Sequence, residues 1–175
     1  MLLISGGVSA GVKDLVPGVL AELGVEQQFH KVRMKPGKPL WFGVREADDR
    51  RTLVFGLPGN PVSTYVSFAL FVAPLLRALR GESFGSPAGS GRKYPITAPF
   101  RHRGGRPTFH PCRAAFPDGS RGRRCIELLD WKGSADLATL TKAHFFAMLP
   151  EGDYDLAAGD EVAVMPLGNE DFLSF

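Results

Sequence analysis

Apolar positions in the first part of the chain form short runs separated by loops rich in glycine and proline. Residues 1–4 predict a strand, the loop after it is glycine-rich, and residues 14–23 predict a helix that ends at Gly24. Further apolar or alternating runs predict three more strands. They span residues 28–34, 40–44 and 52–57. Strands that alternate with helices predict an α/β layer with a largely parallel sheet.

One long apolar segment predicts a second helix. Asn60 is a good N-cap and Pro61 a good first residue for a helix running to about residue 80. Its apolar residues surround almost the whole circumference, which predicts a mostly buried helix, and Pro74 is expected to kink or break it. Residues 53–76 carry no charge. Glycines and prolines interrupt them, so a buried strand, turn and helix is favoured over a membrane span.

The pattern changes after a stretch of serine, glycine and proline that predicts a linker. From residue 93 onward the chain shows short segments without helical period, which predict a small antiparallel β domain. These segments span residues 94–100, 107–116, 125–131, 145–149 and 161–167. We therefore predict an α/β domain over residues 1–80, a linker over 81–92 and a β domain over 93–175. A thin core is expected for the first domain, which predicts more chain or another subunit.

Composition narrows the functional classes only slightly. A hydrophobic content of 44% is ordinary for a globular protein and argues against disorder. Cys112 and Cys125 match neither a disulfide framework nor a zinc ligand set, which predicts that the protein is located in a reducing cytoplasm. The start of the chain also does not resemble a secretion leader.

The net charge of +3 conceals a basic segment. Residues 92–124 contain nine basic residues and one acid, Asp118. This segment favours anionic partners, although a solvated surface explains it equally simply. Nucleic acid is the least favoured partner, because few aromatic residues are interleaved with the basic ones.

The glycine-rich loop between the first strand and helix reads Ser5-Gly-Gly-Val-Ser-Ala-Gly11. Glycines in this position let backbone N–H groups approach a ligand, and a following helix favours negative charge. The loop matches neither the dinucleotide-binding nor the Walker pattern. It therefore indicates a phosphate or another anion, with a tight turn that binds nothing as the alternative.

Two further loops suit anions. Lys35-Pro-Gly-Lys-Pro39 holds two ammonium groups on a turn whose prolines restrict the backbone, and lysine suits a compact oxyanion. Leu57-Pro-Gly-Asn-Pro-Val-Ser63 places a hydroxyl in the first turn of the long helix. Solvated lysines and helix capping would explain each loop alone. Three such loops in one short stretch predict a site for a polyanionic substrate.

Asp14 is the carboxylate nearest to the glycine-rich loop. Mg²⁺ commonly takes one or two protein carboxylates plus substrate oxygens, so Asp14 is suited to hold Mg²⁺ beside phosphates. An acid at a helix start also complements the helix dipole, which is the alternative role. The histidines show no metal-ligand spacing.

These motifs resemble a known family. Ser5-Gly-Gly-Val-Ser-Ala-Gly, Met34-Lys-Pro-Gly-Lys-Pro-Leu and Phe55-Gly-Leu-Pro-Gly-Asn-Pro-Val-Ser, in this order, look like the C-terminal part of the molybdopterin molybdenumtransferases of the MoeA and gephyrin E-domain type. Lys132-Gly-Ser134, Leu149-Pro-Glu-Gly and Leu156-Ala-Ala-Gly-Asp-Glu-Val are similar to that family's C-terminal β domain. The resemblance implies part of a three-layer α/β, MogA-like domain followed by a small antiparallel β domain.

The resemblance also implies an activity. Family members insert molybdate into adenylylated molybdopterin, release AMP, use a divalent cation such as Mg²⁺, and are homodimers. It implies catalytic roles for Lys35, Lys38 and Asp14, with Mg²⁺ at Asp14. The implied molybdate ligands are Lys35, Lys38, Pro39, Ser63, Arg113 and Ser134. The implied ligands of the pterin and nucleotide phosphates are Ser5, Gly6, Gly7, Ser9, Gly11, Lys31, Pro58, Gly59 and Asn60.

The chain departs from the family in several ways. It lacks the preceding half of the α/β domain and two further domains, so a complementing N-terminal chain is one expectation. Val12 and Lys13 precede Asp14 where many members have an acid, and Phe109-His-Pro-Cys-Arg113 replaces the usual Phe-x-Arg. A non-catalytic pterin-binding or scaffold fragment is therefore the alternative function, since fold does not fix function.

Overall fold

The computed structural model describes residues 1–9, 14–47, 49–82, 91–116 and 124–168. The chain divides into two units, Met1–Ser83 and Phe84–Phe175. Unit 1 combines one sheet with helices on both of its faces, whereas the described part of unit 2 consists of strands and one short helix.

Unit 1 contains a four-stranded mixed sheet. Its strands are β1 Leu2–Ser5, β2 Glu26–His30, β3 Trp41–Ala47 and β4 Arg50–Leu57. They lie in the order β1-β4-β3-β2, and only β1 and β4 run parallel. The prediction of a largely parallel sheet was therefore wrong. Strands β3 and β4 are separated by two residues, and so short a connection allows only an antiparallel hairpin.

Helices cover the two faces of this sheet. Helix α1, Val16–Glu22, packs on one face through Leu20 against Trp41 and Val54. The long helix packs on the opposite face through Val72, against Phe55 and Leu57. Because successive strand residues point to opposite faces, the neighbours Val54 and Phe55 pack into different hydrophobic clusters. Unit 1 thus has the predicted helix–sheet–helix layering.

The long helix begins at Pro61 as predicted and has three parts. Helix α2 spans Pro61–Ser67, a π-helical segment spans Phe68–Val72, and helix α3 spans Ala73–Leu79. The π-helical segment ends just before Pro74, and the Ala73 N–H donates to the Phe68 carbonyl, five residues back. Proline has no N–H to continue the α-helical pattern, so Pro74 marks the break that was predicted.

The prediction that this helix is mostly buried was wrong. Val62, Val66 and Val72 are buried, but Phe68, Leu76 and Leu79 are exposed. The helix is long and apolar enough to cross a membrane by length and composition alone, a weak indication because core helices pass the same test. Its contacts with the sheet account for its buried side.

Unit 2 contains a five-stranded antiparallel sheet and a separate two-stranded ribbon. The sheet has the order β5-β11-β9-β7-β8, and β6 pairs with β10 in the ribbon. The strands are β5 Lys93–Pro95, β6 Phe100–Gly104, β7 Thr108–Ala115, β8 Cys125–Leu128, β9 Phe145–Leu149, β10 Gly152–Leu156 and β11 Glu161–Pro166. A short helix, α4 Leu137–Leu140, precedes β9. The core of the sheet includes Ile96, Cys112, Ile126 and Val164. The predicted antiparallel β domain is therefore confirmed.

Candidate functional site

The glycine-rich loop and the Pro58–Asn60 loop lie side by side in unit 1. Parallel pairing of β1 with β4 places Ser5 opposite Leu57, so both strands end at the same edge of the sheet. The Gly6 N–H donates to the Leu57 carbonyl at 2.9 Å, and the Ser5 hydroxyl donates to the Pro58 carbonyl at 3.5 Å. A Cβ on Gly59 would lie 3.5 Å from the Gly6 Cα. The two loops therefore form one backbone-rich surface.

Lys31 directly follows a histidine that contacts the glycine-rich loop. The His30 Nε2 atom lies 2.9 Å from the carbonyl oxygen of Val8, a buried residue of that loop. Lys31 has a φ of 69°, a left-handed conformation that is uncommon for a lysine. This conformation ends β2, and the exposed Lys31 side chain starts the segment that leads to the lysine turn.

In the lysine turn, residues 35–39, the backbone is held by hydrogen bonds and the charged side chains are exposed. The Val32 N–H donates to the Lys38 carbonyl at 2.9 Å, and the Leu40 N–H donates to the Gly37 carbonyl at 3.2 Å. Pro36 and Gly37 are buried, whereas Lys35 and Lys38 are exposed. The backbone thus holds the two ammonium groups at the surface at little entropic cost on binding.

The turn rests on the long helix through Gly37. A Cβ built on Gly37 would lie 2.9 Å from the Ser67 Oγ and 2.2 Å from the Met34 Cε. Ser63 is one helical turn before Ser67 and is 4% exposed. The turn and the serine-bearing face of helix α2 are therefore neighbouring elements, although Ser63 itself is much less accessible than the lysines.

The remaining predicted residues of unit 1 surround these loops. Ser9 is exposed, Gly11 lies outside the described residues, and Asp14 is half-buried. Asp14 lies before the N-cap Leu15, and the first turn of α1 carries no acid. Asp14 thus lies next to the start of α1 but outside its first turn, and its two alternative roles, at Mg²⁺ or beside the helix dipole, both stay predictions. Asn60 occupies the N-cap position of α2, but its side chain makes no capping hydrogen bond.

In unit 2, Arg113 is paired with an acid. Strand β7 carries Arg113 directly opposite Glu127 of β8. The Arg113 Nε and Nη2 atoms lie 2.9 and 2.8 Å from the Glu127 Oε2. Both side chains are more than 40% exposed, so this pair contributes little to stability. An anion that binds Arg113 has to compete with Glu127.

Ser134 lies in a loop that Asp136 organises. The Asp136 carboxylate accepts hydrogen bonds from the Lys132 and Thr139 N–H groups, at 3.1 and 3.0 Å, and from the Thr139 hydroxyl at 2.7 Å. Gly133 has a φ of 122°, which favours glycine there. Ser134 is half-buried between Gly133 and Asp136. The Asp136 carboxylate thus organises the loop that carries the Ser134 hydroxyl, although the sequence analysis did not identify Asp136.

We expect this loop to stay ordered at mildly acidic pH. The hydrogen bond from the Thr139 hydroxyl, with those from the two N–H groups, lowers the pKa of Asp136 below its ordinary value. A lowered pKa means that the carboxylate stabilises the fold above the unfolded pKa of about 3.9, and that this contribution disappears as the pH falls through the folded pKa. Asp136→Asn should remove this acid dependence and speed amide exchange around Ser134 at pH 6. Unchanged exchange would contradict the role of Asp136.

Part of the basic segment is neutralised within unit 2. Arg101 and Arg103 both pair with Asp155, at 3.4 and 2.8 Å, and Arg113 pairs with Glu127. These acids lie beyond the segment in sequence but on neighbouring strands. The density of basic residues in the sequence therefore overstates the positive charge of the described surface, which favours the solvated-surface interpretation.

The described residues contain no group of three or more histidine, cysteine or acidic side chains that could hold a metal ion. Cys112 and Cys125 are buried free thiols. Burial raises the pKa of the Cys112 thiol, which makes it a poor nucleophile or metal ligand.

Three residues that adjoin predicted site residues within their own units were missed by the sequence analysis. They are Ser67, Glu127 and Asp136. Ser67 could have been found, because it follows Ser63 by four residues on a predicted helix. Glu127 and Asp136 carry no such signal, since their roles depend on strand register and loop geometry.

Comparison with known proteins identifies both units. Residues 1–78 match the model of a probable molybdopterin binding domain, and residues 93–167 match that of the MoeA C-terminal region, domain IV. A molybdopterin molybdenumtransferase of Synechococcus elongatus is 38% identical over 167 residues, covering 95% of this chain and 38% of the relative. One from Bacillus subtilis is 32% identical and covers 97% and 37%.

A solved structure agrees with these matches. The molybdopterin biosynthesis MoeA protein from Pyrococcus horikoshii has a TM-score of 0.67 and 31% identity, covering 95% of this chain and 37% of that one. Gephyrin of Dictyostelium discoideum is 46% identical over 93 residues, covering 46% of this chain and 13% of the relative. The chain thus spans well under half the length of these relatives.

Proposed function

The chain belongs to the MoeA family, of which it carries the molybdopterin-binding and C-terminal regions, and on this premise we propose that it acts in molybdenum cofactor biosynthesis. The proposed reaction is insertion of molybdate into adenylylated molybdopterin, with release of AMP. Relatives named molybdopterin molybdenumtransferase that align with almost the whole chain support the proposal.

The observation that carries this proposal is the lysine turn. Lys35 and Lys38 are exposed on a turn with a buried, hydrogen-bonded base, beside a surface formed by two glycine loops. Charge-assisted hydrogen bonds from lysine to an oxyanion are worth about 1.5–3 kcal/mol each. Molybdate is a tetrahedral dianion, so two ammonium groups carried on one hydrogen-bonded turn would neutralise its charge.

In this proposal the glycine loops hold the phosphates of the substrate. The backbone around Ser5, Gly6 and Gly7 and around Pro58, Gly59 and Asn60 can approach a ligand closely, and Lys31, Ser9 and Gly11 belong to the same set. Ser63 and Pro39 are assigned to molybdate with the lysines. Rate acceleration would come from positioning and charge neutralisation, without a protein nucleophile.

The proposal also includes a cation and two ligands from unit 2. Asp14 is half-buried after the glycine-rich loop and can give Mg²⁺ one carboxylate, with phosphate oxygens completing the coordination. Mg²⁺ bound there would neutralise phosphate charge. Arg113 and Ser134 are assigned to molybdate by resemblance, and Arg113 would have to exchange Glu127 for the anion. The cytoplasm is the proposed location.

A non-catalytic pterin-binding or scaffold fragment is the alternative function. The chain covers 38% of the Synechococcus elongatus relative, and a shared fold does not by itself fix catalysis. Such a fragment would bind the pterin without inserting the metal.

We further propose that a complementing N-terminal polypeptide covers the open edge of unit 1. Strand β1 has one partner among the described strands, and its Leu2 and Leu3 are 45% and 42% exposed. Leu15, Val19 and Leu23 at helix α1 are also exposed. A short apolar edge strand is a template for another strand, and an apolar patch of this kind indicates an interface.

Co-expression with the part of the Synechococcus elongatus relative that precedes the matched region should give a 1:1 complex, measured by light scattering after gel filtration. Leu3→Arg should abolish that complex, whereas Leu137→Arg, at an exposed leucine of unit 2, should leave it intact. No complex with the unchanged chain would contradict this proposal. A dimer of this chain alone would instead support the predicted homodimer.

Molybdate binding tests the proposed function directly. Thermal unfolding of the purified chain should shift upward with molybdate, because a ligand that binds only the folded state stabilises it. Chloride at equal ionic strength is the control. The absence of any molybdate-specific shift would contradict the assignment.

A further inference from the structure

Ser67 presents a buried hydroxyl group with unused hydrogen-bonding capacity. Its side chain is 0% exposed, and among the described residues its Oγ has no hydrogen-bond partner. Leaving a buried hydroxyl unsatisfied lowers stability, and such groups in native proteins call for an explanation. Alanine would fill this helical position without that cost and with a better helix propensity.

The surroundings of Ser67 point to the lysine turn. Its Oγ lies 2.9 Å from the position that a Cβ would take on Gly37, one of the two residues between Lys35 and Lys38. Gly37 is itself buried, and its φ of 106° lies in the region that favours glycine. The hydroxyl is therefore directly beneath the backbone that carries both ammonium groups.

We propose that Ser67 is a positioning residue, whose hydroxyl bonds to the main chain of the lysine turn when an oxyanion occupies the turn. This inference rests on the proposed function. In this proposal a bound anion moves the segment between the two lysines slightly, and the Ser67 hydroxyl, which is adjacent to Gly37, then donates to the main chain of that segment. The hydrogen bond is then formed only in the bound state, so it adds to anion affinity and not to the stability of the free protein.

Ser67→Ala separates this role from a structural one. We expect the free protein to unfold at the same or a higher temperature, and molybdate affinity to fall about tenfold, corresponding to about 1.4 kcal/mol. Ser67→Cys, which keeps the volume but has a weaker donor, should weaken molybdate binding in the same direction. Thermal unfolding with a molybdate titration of the full chain measures both quantities.

The outcomes distinguish this inference from the proposed function. A molybdate shift that Lys35→Ala removes and Ser67→Ala leaves unchanged would overturn the role of Ser67 alone. A lower unfolding temperature for the free Ser67→Ala protein with unchanged affinity would identify a purely structural serine and overturn it too. No molybdate shift in the unchanged protein would overturn the proposed function, and this inference with it.

Discussion

Replacing both Lys35 and Lys38 with alanine is expected to abolish molybdate binding while the chain remains folded. Each lysine would contribute about 1.5–3 kcal/mol through a charge-assisted hydrogen bond. One substitution should therefore weaken binding by about 10- to 150-fold, and the double variant by more. Both side chains are exposed on a turn whose base is held by backbone bonds, so the free energy of unfolding should change by less than about 0.5 kcal/mol. Isothermal titration calorimetry with molybdate measures the binding loss.

Lys142→Ala provides the matched control, because Lys142 is an exposed lysine of unit 2 with no assigned role. The affinity of the Lys142→Ala variant for molybdate should equal that of the unchanged chain. If all lysine variants lost the same affinity, binding would reflect overall charge. If the double variant also unfolded, the lysines would be structural.

Gly37→Ala should be the most destabilising single substitution at the turn. The added Cβ would lie 2.2 Å from the Met34 Cε and 2.9 Å from the Ser67 Oγ, at a φ of 106°. Crowding in a packed core costs about 1–3 kcal/mol, and a left-handed conformation without glycine costs about 1–3 kcal/mol more. A loss of about 3 kcal/mol would lower the unfolding temperature of a domain this size by about 12–24 °C.

Two other glycines separate strain from crowding. Gly24 has a φ of 75° with nothing within 4 Å of its Cβ position, so Gly24→Ala should show conformational strain alone. Gly18 lies in helix α1, also with nothing within 4 Å, so Gly18→Ala should stabilise unit 1 by about 0.5–1 kcal/mol. Thermal unfolding monitored by circular dichroism gives all three values. Equal losses for Gly37→Ala and Gly24→Ala would contradict the close packing of the turn on Ser67.

Local sequence signals predicted the elements that carry the site. Pro61 fixed the start of the long helix, Gly24 followed the end of α1, and Pro74 marked a break, because each acts through its own backbone conformation. Two of the loops that resemble the family motifs, the glycine-rich loop and the Pro58–Asn60 loop, lie side by side because β1 and β4 pair in parallel. The roles assigned to individual residues of these loops remain predictions.

Features that depend on distant residues could not be predicted in this way. The strand expected at residues 28–34 ends at His30, because Lys31 turns the backbone into a left-handed conformation. The ribbon of β6 and β10 joins segments about fifty residues apart, and neither segment has a strong apolar alternation. Exposure of Leu2 and Leu3 likewise depends on which surfaces meet, and a short apolar run predicts a strand without showing whether the strand is covered.

We propose above all that this chain itself binds the substrates of molybdenum insertion. The most direct test is a fluorescence titration of the purified chain with adenylylated molybdopterin, with and without Mg²⁺ and molybdate, at two salt concentrations. We expect the unchanged chain to bind the pterin saturably. The Lys35 and Lys38 double variant should lose molybdate binding but keep most of its pterin binding. An absence of pterin binding under every condition would contradict this proposal.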